Sequence, residues 1–259
     1  MTTKQYIKTI LMGCALSATT ACSLDTEPIS QASELTEGSQ TDTTTAVLKN
    51  REAALSQRTA LYKLFKNRQE HMHLDYLLLG EAHADNAYGG TTGQETIPTE
   101  TNALDAATGT MSRDWSRYLE DIAKANVLIN GVEQLHKKGE VSDAEYRQWC
   151  AEGQIFRALM MFRMVRMWGS LPVITKVAQT ITSDNIKEVY PTYFPPRSTT
   201  EECYHQIIED LEYAELNAPD ISSTDRTLMS KTVAQAFLCK VYAEKAVRDY
   251  DKVIAYAEK

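Results

Sequence analysis

Between residues 113 and 136 the large apolar residues Trp115, Tyr118, Leu119, Ile122, Ala125, Ile129 and Val132 step by three or four, the spacing that lines one face of an α-helix. The pattern recurs along the chain. Ser142-Asp143-Ala144-Glu145 has the spacing of a capping box and opens a helix carrying Tyr146, Trp149, Ile155, Phe156, Leu159, Phe162 and Val165, which Gly169 and Pro172 halt. Ser198 and Thr199 precede Tyr204, Ile207, Ile208, Leu211, Ala214 and Leu216; after a break at Pro219 another helix carries Val233, Phe237, Val241 and Tyr242, and a last one begins near Asp249. The short connection at Gly139 makes the first two of these helices antiparallel neighbours. Helix–turn–helix units of about 34 residues predict an all-α fold of tetratricopeptide-like helical pairs with long irregular loops. Only 11 Gly and 7 Pro in 259 residues disfavour a loop-rich all-β chain.

Upstream, Leu48, Leu55, Leu61, Tyr62, Leu64 and Phe65 predict a first long helix from Ala46 to about Arg68. A second apolar segment, residues 73–79, runs into Gly80 and then into a polar stretch from Glu81 to Ser112 with no periodic element. A connection that long in a folded domain is a functional-site candidate. At the other end the chain stops inside a helix, where Val253-Ile254-Ala255-Tyr256 is no polar cap, so the sequence reads as truncated at the C-terminus, the N-terminal portion of something longer.

Charge narrows the function classes. With 27 Lys+Arg against 35 Asp+Glu the net charge is −8, and no basic stripe exists to release counterions from a phosphate backbone, so nucleic acid is not an expected partner. Residues 1–21 read as a signal peptide: Lys4 and Lys8, an apolar run from Ile10 to Ala18 too short to span a bilayer, then small residues. Thr19-Thr20-Ala21-Cys22 resembles the lipobox of bacterial lipoproteins, which would make Cys22 the lipidated mature N-terminus, with Thr19 standing where that pattern usually has Leu. Residues 22–45, rich in Ser, Thr, Asp, Glu and Gln, read as a flexible tether, and Asp25 and Glu27 resemble the surface-export signal of lipoproteins of Bacteroidetes. Residues 46–259 remain as the helical domain.

Beyond the lipobox, Cys150, Cys203 and Cys239 form neither an even set nor a zinc spacing and read as buried thiols within helices. His71-Met72-His73 with His83 fits no strong metal motif, so neither metal nor cofactor is expected. The chain has no GxSxG, HExxH, P-loop or GxGxxG. Glu201-Glu202 and Glu209-Asp210 read as solvated helix faces rather than a glycosidase pair. Trp115, Trp149 and Trp168 read as core, and Glu152, Arg157, Arg163 and Arg166 as ion-pairing residues whose stems cover apolar surface.

Six runs, in order, carry a family resemblance: Ala84-Asp85-Asn86-Ala87-Tyr88-Gly89-Gly90; Trp115 with Tyr118, Ile122, Ala125 and Asn126; Ala151-Glu152-Gly153-Gln154-Ile155-Phe156-Arg157-Ala158; Arg166-Met167-Trp168-Gly169-Ser170-Leu171-Pro172; residues 207–214; and residues 234–242. Together with the lipobox they resemble the SusD/RagB family of outer-membrane nutrient-binding lipoproteins, whose members are about twice this long. The resemblance implies a non-enzymatic, lipid-anchored protein on the cell surface. It would bind an oligosaccharide or peptide ligand and act with a SusC-like TonB-dependent outer membrane transporter. By the same resemblance the 81–112 loop supplies ligand contacts: Tyr88 as a platform for a sugar ring, Asp85, Asn86 and Asn102 as hydrogen-bonding partners of hydroxyls. Asp85-Asn86 before Gly89-Gly90 is equally a turn sequence. The alternative from the residues alone is a helical-repeat envelope protein that binds a protein or peptide.

Overall fold

The computed structural model describes residues 47–88, 93 and 96–259. The expected signal peptide, Cys22, the tether, Ala46 and Gly89-Gly90 lie outside the described residues. Among the described residues there is no strand, and no helix is long and apolar enough to cross a membrane. The helices are α1 (Arg51–Asn67), α2 (Asp75–Leu77), α3 (Thr96–Glu100), α4 (Gly109–Lys137), α5 (Asp143–Trp168), α6 (Ile186–Val189), α7 (Thr200–Asn217), α8 (Lys231–Ala243) and α9 (Tyr250–Ala257). The long ones stack in chain order, α1 on α4, α4 on α5, α5 on α7, α7 on α8 and α8 on α9, which is the paired arrangement that the apolar spacing predicts.

Two capping boxes fix where α5 and α7 begin. Ser142 and Thr199 each accept from the backbone N–H three residues on, while Glu145 and Glu202 accept from the Ser142 and Thr199 N–H in return. Glu202 is therefore a cap rather than a mere solvated acid. Hydrogen bonds from Arg51 and Ser142 hold the Glu145 carboxyl down at about 2.

Helix α5 is the hub. It is buried on every side, Ala151, Ile155, Met160 and Met164 being fully enclosed, because α4 lies along one face and α7 along another. Gly153 permits the close approach to α4: a Cβ there would sit 2.9 Å from Ile129 Cγ1. The expectation for the thiols holds for Cys150 and Cys203, both buried, with burial pushing the Cys150 thiol up to about 12; Cys239 is half-buried.

The hub also carries charge. Arg157, 4% exposed, makes a two-pronged contact with Asp210 of α7 (2.8 and 2.6 Å) and donates to Asn126 Oδ1 of α4 at 2.7 Å. Asn126 Nδ2 in turn donates to the Ile174 carbonyl at 2.8 Å, tying in the extended run after α5. Asp210 is 1% exposed, so the expectation of a solvated face at Glu209-Asp210 fails at Asp210. A carboxylate is tolerated there because the Arg157 fork and Gln206 claim its oxygens. Glu152 repeats the device, accepting from Arg58 (2.8 Å), Tyr62 (2.9 Å) and Gln148 (2.9 Å).

The apolar run at 73–79 does not stop at Gly80. It lies within one irregular helical segment in which α2 is flanked by wide π turns, Glu70–Leu74 and Leu78–Ala82. Side chains of α4 and α5 take up carbonyls of the first wide turn: Tyr118 Oη donates to the His71 carbonyl at 2.9 Å and Arg163 to that of Met72 at 2.6 Å. A clasp of charge completes the attachment. Arg68 meets Glu120 and Asp121, Glu70 meets Arg113 and Arg117, His71 Nε2 lies 3.2 Å from Asp121, and Asp75 meets Arg113 at 2.6 Å.

The polar stretch after Glu81 is shorter than its composition suggests, since α3 occupies part of it and α4 starts at Gly109 instead of residue 113. Asp114 consequently lies in the second turn of α4, past the reach of the helix N-terminus. It is 1% exposed, and burial followed by the neighbouring negative charge of Asp75 pushes its carboxyl up to about 7.

Removing Arg157 strands a buried carboxylate. Arg157→Ala should lower stability by about 3–5 kcal/mol in urea titrations, and Arg157→Met combined with Asp210→Leu should recover most of that loss. Asp114 sets a pH dependence of definite sign. Because its carboxyl is raised above the usual ~3.9, the folded chain holds a proton that the unfolded chain has lost, so stability falls as pH rises from about 4 to about 7. Asp114→Asn should come closest to the parent in urea midpoint at about pH 4 and exceed it by a margin that grows up to about pH 7; a margin that does not change with pH would exclude a buried neutral carboxyl.

Candidate functional site

The ends of the long helices converge beside the irregular segments. Trp115 stands two turns into α4 and Trp168 is the last residue of α5, which Gly169 ends in the left-handed region at φ 71°. The indoles meet edge to face, centroids 5.6 Å apart and planes at 82°. Both are half-buried, packed on the core from one side, and with Leu104, Asp105, Met111, Ser112 and Arg197 they line a cavity of about 360 Å³. The core expectation thus holds for Trp149, 4% exposed, and only for one side of Trp115 and Trp168.

Asp105 and Arg197 in this cavity are locally braced. Asp105 Oδ1 accepts from the Ala107 and Thr108 N–H groups, both at 2.9 Å, and from the Thr108 hydroxyl, which folds residues 105–108 into a tight turn ahead of α4. Arg197 follows Pro195-Pro196 and precedes Ser198, whose N–H donates to the Leu171 carbonyl at 3.0 Å, and Thr199, the cap of α7. Its guanidinium lies over the Trp115 ring, 5.2 Å from the centroid.

A second cavity, about 420 Å³, shares Leu104 and Met111 with the first. Tyr76, Leu77, Leu79, Glu81 and His83 reach it from the irregular segment, and Arg166 from α5. Arg166 is already engaged, donating to Tyr76 Oη at 2.6 Å and pairing with Glu244 at 3.0 Å, in keeping with the ion-pairing expected of it. The two cavities form one broken trough of aromatic and apolar walls with a few polar groups, the composition of a site for a small polar molecule with apolar faces.

None of the four residues singled out from the sequence lines this trough. Asp85 and Asn102 adopt left-handed φ values of 59° and 55° and build turns, their N–H groups donating to the Ala82 and Thr99 carbonyls. Asn86 donates through Nδ2 to Glu81 at 3.2 Å. Tyr88 is 73% exposed, five residues beyond His83. The aromatic walls are instead Trp115 and Trp168. The sequence signal for them is position: each sits where a helix meets an irregular segment. Of the histidines, His71 is buried against Asp121 and edge to face with Tyr118, and His73 is exposed. Among the described residues no group of three or more His, Cys, Asp or Glu is arranged to hold a metal ion.

Comparison with known proteins converges on one family. Residues 34–243 match the SusD-like family described as "Starch-binding associating with outer membrane". A SusD-like protein of Bacteroides ovatus is 30% identical over 168 residues, covering 65% of this chain and 28% of the relative. A SusD-like protein of Formosa agariphila is 30% identical over 164 residues, covering 63% of this chain and 29% of the relative. Among solved structures, a laminarin-binding SusD-like protein superimposes with a TM-score of 0.64 at 24% identity, over 81% of this chain and 43% of that one. A structure solved with a xylogluco-oligosaccharide gives 0.61 at 23%, over 80% and 39%. The chain spans less than a third of the length of the curated relatives it matches and less than half of these structures. By the family match, which extends from the expected tether to the end of α8, the chain belongs to the SusD-like family.

Proposed function

We propose that this protein is a saccharide-binding lipoprotein of the outer membrane, displayed on the cell surface and acting with a SusC-like TonB-dependent transporter in glycan uptake. The observation that carries the reading is the trough walled by Trp115 and Trp168 in a chain of a family described as starch-binding. Indoles stack on the apolar faces of sugar rings, and Asp105, Ser112, Glu81 and His83 bring hydroxyl-bonding groups to the same walls. A laminarin-binding protein and a xylogluco-oligosaccharide complex among the related structures support an oligosaccharide as the ligand class.

Binding without hydrolysis is part of the reading. Asp114 is a carboxyl raised toward neutrality, and it is 1% exposed and faces Asp75 rather than either cavity. Tyr88 offers a further exposed ring for a sugar, and Asp85, Asn86 and Asn102 offer hydroxyl-bonding groups, all four outside the lining of the trough itself. The anchor follows from the sequence: residues 1–21 as signal, Cys22 as the lipid-bearing residue, residues 22–45 as tether, and 46–259 as the ligand-binding helical domain.

Retention in affinity gels containing soluble polysaccharides is the test. The chain should be slowed by at least one glycan and release no reducing sugar, and Trp115→Ala with Trp168→Ala should abolish the retardation while Tyr88→Ala weakens it. Indifference to every glycan combined with retention on immobilised peptides would transfer the protein to the protein-interaction reading. Separately, cells fed a radioactive fatty acid should label the parent and not Cys22→Ala.

A further inference from the structure

Arg197 stands apart from the other arginines that lie on aromatic rings. Arg51 and Arg58 also pair with Glu145 and Glu152, Arg163 donates to the Met72 carbonyl, Arg166 pairs with Glu244, and Arg248 donates to the Ala243 carbonyl. Arg197 lies 5.2 Å over Trp115 and, among the described residues, makes no hydrogen bond or ion pair. Its backbone is nevertheless fixed, between two prolines and the cap of α7, with the next residue bonded to the Leu171 carbonyl. Arg197 is exposed and lines the cavity of about 360 Å³, so a fixed neighbouring backbone and a guanidinium laid against an indole hold a cation at the mouth of that cavity with its donors open to an incoming ligand.

We propose that Arg197 and Trp115 form a subsite for an acidic sugar, Arg197 donating two parallel hydrogen bonds to the carboxylate of a uronic-acid residue whose ring lies in the cavity shared with Trp168. The proposal rests on the saccharide-binding reading above and names its substrate class. A neutral sugar stacking on Trp115 has to displace the guanidinium from that face, whereas a carboxylated one gains from it by matching the planar fork. Asp105, the acid in the same lining, has Oδ1 committed to three donors within its own turn, which offsets part of its charge and leaves Oδ2 for a sugar hydroxyl. Elsewhere the chain is acidic, so a negatively charged saccharide finds its discrimination at this open cation and not in the general field of the protein.

Isothermal titration of the full chain with oligogalacturonate and with the same oligosaccharide after carboxyl reduction tests the assignment. The acidic form should bind about tenfold more tightly, the factor expected of one charge-assisted forked contact. Arg197→Gln should bring the two affinities together without moving the thermal melt. Arg197→Lys, which keeps the charge and loses the fork, should retain only part of the preference and serves as the working variant should Arg197→Gln not fold. Equal affinities in the parent, or a preference that survives in both Arg197 variants, overturn the subsite while leaving the saccharide reading in place. Binding of neither form, in a chain also indifferent to neutral glycans in gels, overturns both.

Discussion

The contact on which the rest of the molecule depends is the buried fork of Arg157 on Asp210, shared with Asn126. It joins three helices and, through the Asn126 bond to the Ile174 carbonyl, the extended run that leads away from α5. Apolar burial supplies most of the cohesion between α4, α5 and α7, but it is non-directional and tolerates sliding of one helix along another. A bidentate ion pair does not tolerate it. The relative register of the helices, and with it the meeting of Trp115 near the start of α4 with Trp168 at the end of α5, is set by this directional contact between two buried charges.

The second constraint lies along the first half of α4, from Arg113 to Asp121. The π-widened segment has few enclosed apolar residues of its own, Met72 and Ala82 among them, and is held by charge pairs and by carbonyls bonded to Tyr118 and Arg163. It is the wall of the second cavity, so the shape of that cavity depends on electrostatics rather than on packing.

The proposed function uses both. The helical pairs contribute the fixed ends of α4 and α5, and the irregular segments contribute the polar groups that face a ligand. Within that frame Arg197 is the informative residue, because it stands between Pro196 and the bonded Ser198 and its side chain makes no hydrogen bond or ion pair among the described residues.

The helices themselves were legible from the sequence. Apolar residues at steps of three and four, the capping box at Ser142, Ser198 and Thr199 ahead of α7, and Gly169 and Pro172 after α5 specify local structure with little help from distant contacts; that Glu202 completes a second box appears only in the structure. The family resemblance was legible as well, because it lies in those same helical runs. The site was much less so. Trp115 and Trp168 satisfy the helical stripe whether or not one side faces a cavity, and periodicity distinguishes a core face from a surface face but not a packed ring from a half-packed one. Asp114 and Asp210 carry no local mark of burial; their environment is made by Asp75, Arg113 and Arg157, which stand 39 and 1 residues from Asp114 and 53 residues from Asp210 in the chain. Asp85 and Asn102 form turns outside the lining of the trough, and the sequence does not separate a turn from a hydroxyl contact, since the same short polar side chains suit both roles. The sequence by itself determined the helices and their order, because those follow from interactions within a few residues. Which side chains face the trough, and which charges are buried, only the tertiary structure decided, because both depend on which distant helix lies alongside.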